Sequence, residues 1–162
     1  MKERTYDNEL CGYAEDTAYA TKVHFKSADI IKIGKNFLVI GTFILPLLTL
    51  TGFELSTIVL NSISIVSLFF SILLLLYSRL LDAERRAAFI RVGNEYLDLH
   101  KEIQIAYYDG CSKKTILKIR EKLRDLNKNV HMDPIFGAKN LAKYSIEKQE
   151  EMRRWWKDGN SQ

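Results

Sequence analysis

The sequence predicts an all-α membrane protein: a two-helix transmembrane hairpin with an N-terminal juxtamembrane helix and a C-terminal cytoplasmic helical bundle. Three observations carry this. Between Phe37 and Ser78 the only ionisable side chain besides Tyr77 is Glu54, which sits in a short break between two apolar stretches. The flanks are charged and rich in helix formers, without the turn-bounded alternation that strands need. The chain of 162 residues has only two prolines, Pro46 and Pro134.

The domain boundaries follow. Residues 1–36 form a cytoplasmic N-terminal helical segment, 37–77 the hairpin (37–53 and 55–77), and 78–162 a cytoplasmic helical region, together one integrated domain. At about 1.5 Å per residue the two stretches span roughly 25 Å and 34 Å, against a hydrocarbon core of about 30 Å. A core hairpin of a soluble domain is the alternative, but so long a charge-free run lies far outside soluble composition.

The N-terminal ten residues are polar and expected to fray. From about Tyr13 to Asn36 the composition suits one helix or, with a fresh start capped by Ser27 or Asp29, two. In the first span Gly41, Thr42, Pro46, Thr49 and Gly52 fall within an arc of roughly 140°. Small and weakly polar residues on one face let helices approach closely. Pro46 cannot donate to the Thr42 carbonyl, which predicts a kink that the Thr42 hydroxyl partly compensates. Thr42, Pro46 and Thr49 are the candidate kink and packing residues.

The second span carries a polar row. Thr57, Asn61, Ser64, Ser67 and Ser71 recur at spacings of four, three, three and four, within roughly a 120° arc. Ser78 continues it. Leu, Ile, Val and Phe fill the opposite face and suit lipid. The row either packs helices together or lines a watery path, and one hairpin has too few helices to enclose a path without self-association. An amide at Asn61 needs a partner or water.

Past Tyr77 the helix is expected to continue. Leu81, Ala88, Val92, Tyr96, Leu99, Ile103 and Ala106 form a heptad-like seam. Arg79, Arg85 and Arg86 lie beside the membrane surface and are candidates for coupling it to the cytoplasmic region. Arg85 falls on the seam and either snorkels to headgroups or pairs with an acid of a neighbour, Asp82 or Glu84. Asp109 and Gly110 end this helix, and Ser112 caps the next. There Ile116, Ile119, Leu123, Leu126 and Val130 form a narrow apolar seam. Lys113, Lys114, Lys118, Arg120, Lys122, Arg124 and Lys128 occupy the rest, a pattern typical of a solvated face. No aromatic side chain on it offers base stacking, so nucleic acid is not an expected direct partner. Asp133 and Pro134 read as the start of a last helix from about Ile135 to Lys157, through Leu141, Ser145, Met152 and Trp155. Its RRWWK ending at 153–157 suits a headgroup layer, another subunit or the bundle itself.

Charge sets orientation. Lys32 and Lys35 precede the first span and Arg79, Arg85 and Arg86 follow the second, with only Glu54 at the tip. Both termini are therefore expected in the cytoplasm, in a multi-pass membrane protein. A signal peptide is not expected. The net charge of +4 comes from residues after Ser78, and such a surplus favours anionic headgroups. Glu54 either lines an acidic ring or anchors the turn in water.

Catalytic motifs are lacking. His24, His100 and His131 are scattered, Cys11 and Cys111 have no ligand spacing, and Asp82, Glu84 and Arg85 suit a lipid-active enzyme or, equally, the ordinary start of a solvated helix. No enzyme activity, cofactor or metal is expected.

The hairpin 37–77, the run 79–88 (RLLDAERRAA) and 94–99 (NEYLDL) resemble the SLATT family. The likeness covers most of the chain and is carried by architecture; the family offers no catalytic signature to transfer. It implies a two-span effector beside nucleotide-messenger, sensor or reverse-transcriptase genes of bacterial defence. Such an effector receives a signal from a cytoplasmic sensor, assembles as a homo-oligomer and breaches the inner membrane, arresting an infected cell. A membrane-tethered helical scaffold for a cytoplasmic protein partner is the alternative.

Overall fold

In a computed structural model the described residues are 2–50, 56–80, 83–110, 112–148 and 155. They form five helices and no strand: α1 (Lys2–Leu50), α2 (Thr57–Leu80), α3 (Ala83–Tyr108), α4 (Lys113–Asn129) and α5 (Ala138–Glu147). The chain divides into two compact units, one of residues 1–28 and 88–162, the other of residues 29–87. Helix α1 contributes to both.

In the first unit, Leu10, Ala14 and Ala18 of α1 pack with Val92, Tyr96, Leu99 and Ile103 of α3 and Ile116, Ile119 and Leu123 of α4. The predicted seams are buried from Val92 to Ala106 on α3 and from Ile116 to Leu123 on α4, with Phe89 and His100 also buried and Ala88, Leu126 and Val130 half-buried. Gly93 is needed where α1 meets α3: a Cβ there would lie 2.6 Å from the Phe25 ring. Three polar ties bind the helices. Lys122 donates to Glu102 at 2.6 Å, the Tyr96 hydroxyl donates to Asn127 Oδ1 at 2.7 Å, and Arg120 bridges Glu9 and Tyr13. The Tyr13 hydroxyl and then Arg120 hold the Glu9 carboxyl below its usual range.

The N-terminus departs from expectation. Residues that looked frayed are helical from Lys2, because Leu10 and Cys11 bury their side chains in the core. No second helix starts at Ser27 or Asp29. The Ser27 hydroxyl donates to the Val23 carbonyl at 2.9 Å and accepts the Ile135 N–H at 3.2 Å, so it ties a distant loop instead of capping.

Ser112 caps α4 as predicted, accepting the Thr115 N–H at 3.2 Å. Helix α3 ends at Tyr108 ahead of Gly110, whose φ is +82°. The last helix begins at Ala138, not near Ile135. Gly137 holds φ +85°, a left-handed conformation that cannot sit inside a helix, and the Ala138 N–H closes a turn onto the Ile135 carbonyl at 2.9 Å. Glu54 and Gly52, the passage through Leu81 and Asp82, Cys111, and 149–154 and 156–162 with Met152 and most of the RRWWK ending lie outside the described residues.

In the second unit α1 and α2 run antiparallel. The Tyr77 hydroxyl lies 3.3 Å and 3.2 Å from the Ile30 and Ile31 carbonyls, and the Phe70 ring lies tilted against Phe37, centroids 5.8 Å apart. Side chains at Gly34 and Gly41 would collide with Tyr77 and Phe70, so these glycines set the close approach.

Candidate functional site: the polar row of the second apolar helix

Two helices are long and apolar enough to cross a membrane, and in α2 the most apolar stretch has a mean hydropathy of 2.5 with 0% of its residues buried. Its large side chains point outward, Ile58, Ile65, Leu68 and Leu75 among them. A soluble core helix does the reverse.

Phe70 and Tyr77 meet α1, and with half-buried Ile63, Ser67 and Leu74 they form a row at alternating spacings of four and three. At 100° per residue this contact seam lies roughly 100° around the helix from the centre of the polar row. The row is therefore split. Ser67 and Ser71 sit at the edge of the α1 contact, half-buried, while Thr57, Asn61 and Ser64 are exposed.

The hydroxyls differ in how they are satisfied. Ser64 donates to the Leu60 carbonyl and Ser71 to the Ser67 carbonyl, each at 3.0 Å. Such bonds back onto the preceding turn need no outside partner. Ser67 Oγ is enclosed and has no hydrogen bond. The Asn61 amide makes none among the described residues, although it has two donors and an acceptor to place.

On α1, Thr42 and Thr49 are half-buried but Pro46 is exposed, so the five-residue face predicted for this span is only partly a contact face. The Thr42 hydroxyl donates to the Leu38 carbonyl at 2.8 Å, one turn before the carbonyl that Pro46 leaves open. It does not compensate there. The Thr49 hydroxyl donates back to Pro46 at 2.6 Å. Arg79 and Arg85 are exposed; Arg86 is half-buried, its Nε enclosed without a hydrogen bond.

A second polar row lies inside the first unit, and sequence reasoning missed it. Thr17, Thr21, His24 and Ser27 are buried on α1, Thr17 against His100 of α3 and His24 against Phe89 and Tyr96. His100 Nδ1 lies 3.1 Å from both the Ala14 carbonyl and the Thr17 hydroxyl. Carrying its proton on Nδ1 satisfies that carbonyl. His24 stacks on Tyr96 at 5.7 Å, and its Nδ1 is enclosed without a partner. Burial lowers both histidine pKa values, partly offset at His100 by the bond to Ala14. The signal was available: the four α1 residues repeat the four, three, three spacing of α2.

Among the described residues no cluster of His, Cys, Asp and Glu could hold a metal. An open groove of about 370 Å³ on α4 is lined by Arg120, Leu123, Arg124, Asn127 and Lys128. Two of its cations are already met by acids, Arg120 by Glu9 and Arg124 by Glu121 and Asp125. No protein-family model, curated protein or solved structure matches the chain.

Proposed function

We propose that this protein is a membrane effector of a bacterial anti-phage defence system. Residues 37–77 form a transmembrane hairpin, with both termini in the cytoplasm. On activation several hairpins associate through the Thr57, Asn61, Ser64 face and permeabilise the inner membrane, arresting the cell. The cytoplasmic helices receive the signal from a sensor, and Arg79, Arg85 and Arg86 couple it to the spans.

One observation carries the self-association. The side of α2 that packs on α1 is not the side that holds Asn61 and Ser64. If α2 spans the bilayer, Asn61 lies about 6 Å inside its start, where an amide without a partner costs about 1–3 kcal/mol or more. A second copy or enclosed water removes that cost. The defence role rests on the SLATT resemblance.

The alternative is a tethered scaffold, whose hairpin anchors a partner-binding helical region. The back-bonded hydroxyls of Ser64 and Ser71 favour it, because they need no watery path.

Induced expression in bacterial cells separates the two. Rapid depolarisation and entry of an impermeant dye, lost in Asn61→Leu/Ser64→Leu at equal membrane abundance, supports the effector. Depolarisation unchanged by that double substitution overturns the role of the polar row. Intact potential, alone and with the neighbouring genes, favours the scaffold.

A further inference from the structure

We infer that the exposed side of α5, with the loop before it, is a docking surface for anionic lipid headgroups. Phe136 is 100% exposed. A phenylalanine in that state usually belongs to a slack loop, but both its neighbours in the turn are held. Ile135 donates its N–H to the buried Ser27 hydroxyl, Ala138 donates to the Ile135 carbonyl, and Ala138 itself is 0% exposed. Gly137 makes the left-handed step between them. The turn holds Phe136 away from the core.

Helix α5 continues the pattern. Ala138, Ala142, Ser145 and Ile146 face inward. Leu141 and Tyr144, one turn apart, are about half exposed. Exposed Lys139, Lys143 and Lys148 lie on the same helix, Lys148 nearest to them, with two exposed acids among the described residues of this region, Asp133 in the loop and Glu147 on the helix. Aromatic and aliphatic side chains held outward among lysines suit the boundary between headgroups and acyl chains. The rings enter shallowly, the lysine stems lie along apolar surface and the ammonium groups meet phosphate. An apolar protein partner needs no cations in this arrangement, whereas an anionic bilayer uses both features. The inference rests on the membrane placement of the hairpin, not on its self-association.

The test uses the full chain in phosphatidylcholine bilayers with and without phosphatidylglycerol. A spin label is placed at Tyr144→Cys, with Cys11→Ala and Cys111→Ser removing the native thiols. In anionic bilayers the label should lose most of its access to a water-soluble nickel chelate and gain access to oxygen. Phe136→Ser or Lys139→Glu/Lys143→Glu should return it to solvent; both alter exposed residues and leave the core intact. Equal nickel access in both lipids overturns the inference. So does a label that neither reagent reaches, which signals a protein cover. A second label at Ile65→Cys reports the span. If it favours oxygen while position 144 stays in water, only the α5 inference fails; if nickel reaches it, the membrane placement fails and takes this inference with it.

Discussion

Two polar rows in this chain share one spacing and meet opposite surroundings. On α1, Thr17, Thr21, His24 and Ser27 face a packed interior, where Thr17 and Ser27 bond across to other segments. On α2, Thr57, Asn61 and Ser64 face outward, and their bonds either fold back on the helix or are not made. The far side of each helix accounts for the difference. Behind the α1 row stands exposed Glu15; behind the α2 row stand exposed Val66 and Phe69. With a carboxylate opposite, hydroxyls are the less polar side and turn inward. With large apolar groups opposite, hydroxyls are the more polar side, and in hydrocarbon they must find protein or water. Spacing puts residues on one face; the opposite face decides what covers it.

The sharpest way to probe this contrast is to make one deletion in both settings. Ile103 is 0% exposed and Ile65 is 68% exposed. Ile103→Ala should cost about 2–5 kcal/mol through lost burial and a cavity. Ile65→Ala should cost less than about 1 kcal/mol, since its side chain is exposed and leaves no cavity behind. Thermal unfolding of the full chain in nanodiscs reads both, and equal losses would break the contrast.

The serines give a smaller version. Ser27→Ala leaves the partly buried Ile135 N–H without its acceptor, a loss of about 1–3 kcal/mol. Ser64→Ala removes only a bond to its own preceding turn and should stay within about 0.5 kcal/mol. The same unfolding experiment compares them.

Acid should separate the units further. His24 and His100 have folded-state pKa values below the ordinary histidine value of 6.5. The unfolded chain therefore binds more protons between the two values. Stability is full above about pH 6.5 and falls as pH drops through the folded values, by at most about 1.4 kcal/mol per pH unit for each histidine. Hydrogen exchange at pH 7 and pH 5 should show faster opening of amides around Ala14 and Tyr96. Amides of α2 from Ile63 to Leu74 should show no such change beyond the intrinsic pH dependence of exchange. His24→Phe/His100→Gln should reduce the acid effect.

Much of this was legible in the sequence, for identifiable reasons. The apolar stretches, the α3 and α4 seams and the Ser112 cap rest on periodicity and local chemistry, which act within one element. The burial of Leu10 was hidden by the polar residues around it, because the partner that covers it comes from elsewhere in the chain. Ser27 looked like a cap because its type suits one; its actual partner, Ile135, is distant in sequence. The start of α5 was misplaced because Asp133 and Pro134 outweighed Gly137, whose left-handed backbone sets the boundary. In the site, the spacing located Asn61 and Ser64 but not the α1 contact that leaves them uncovered.

The most direct test of the central claim is disulfide cross-linking in native membranes. Single cysteines at Asn61→Cys and at exposed Val66→Cys, about 140° away around the helix, are compared in the Cys11→Ala/Cys111→Ser background under mild oxidation. If α2 associates through its polar face, position 61 should give covalent dimers rapidly and position 66 should give few. Equal yields at both positions, or dimers through position 66 alone, would contradict the account.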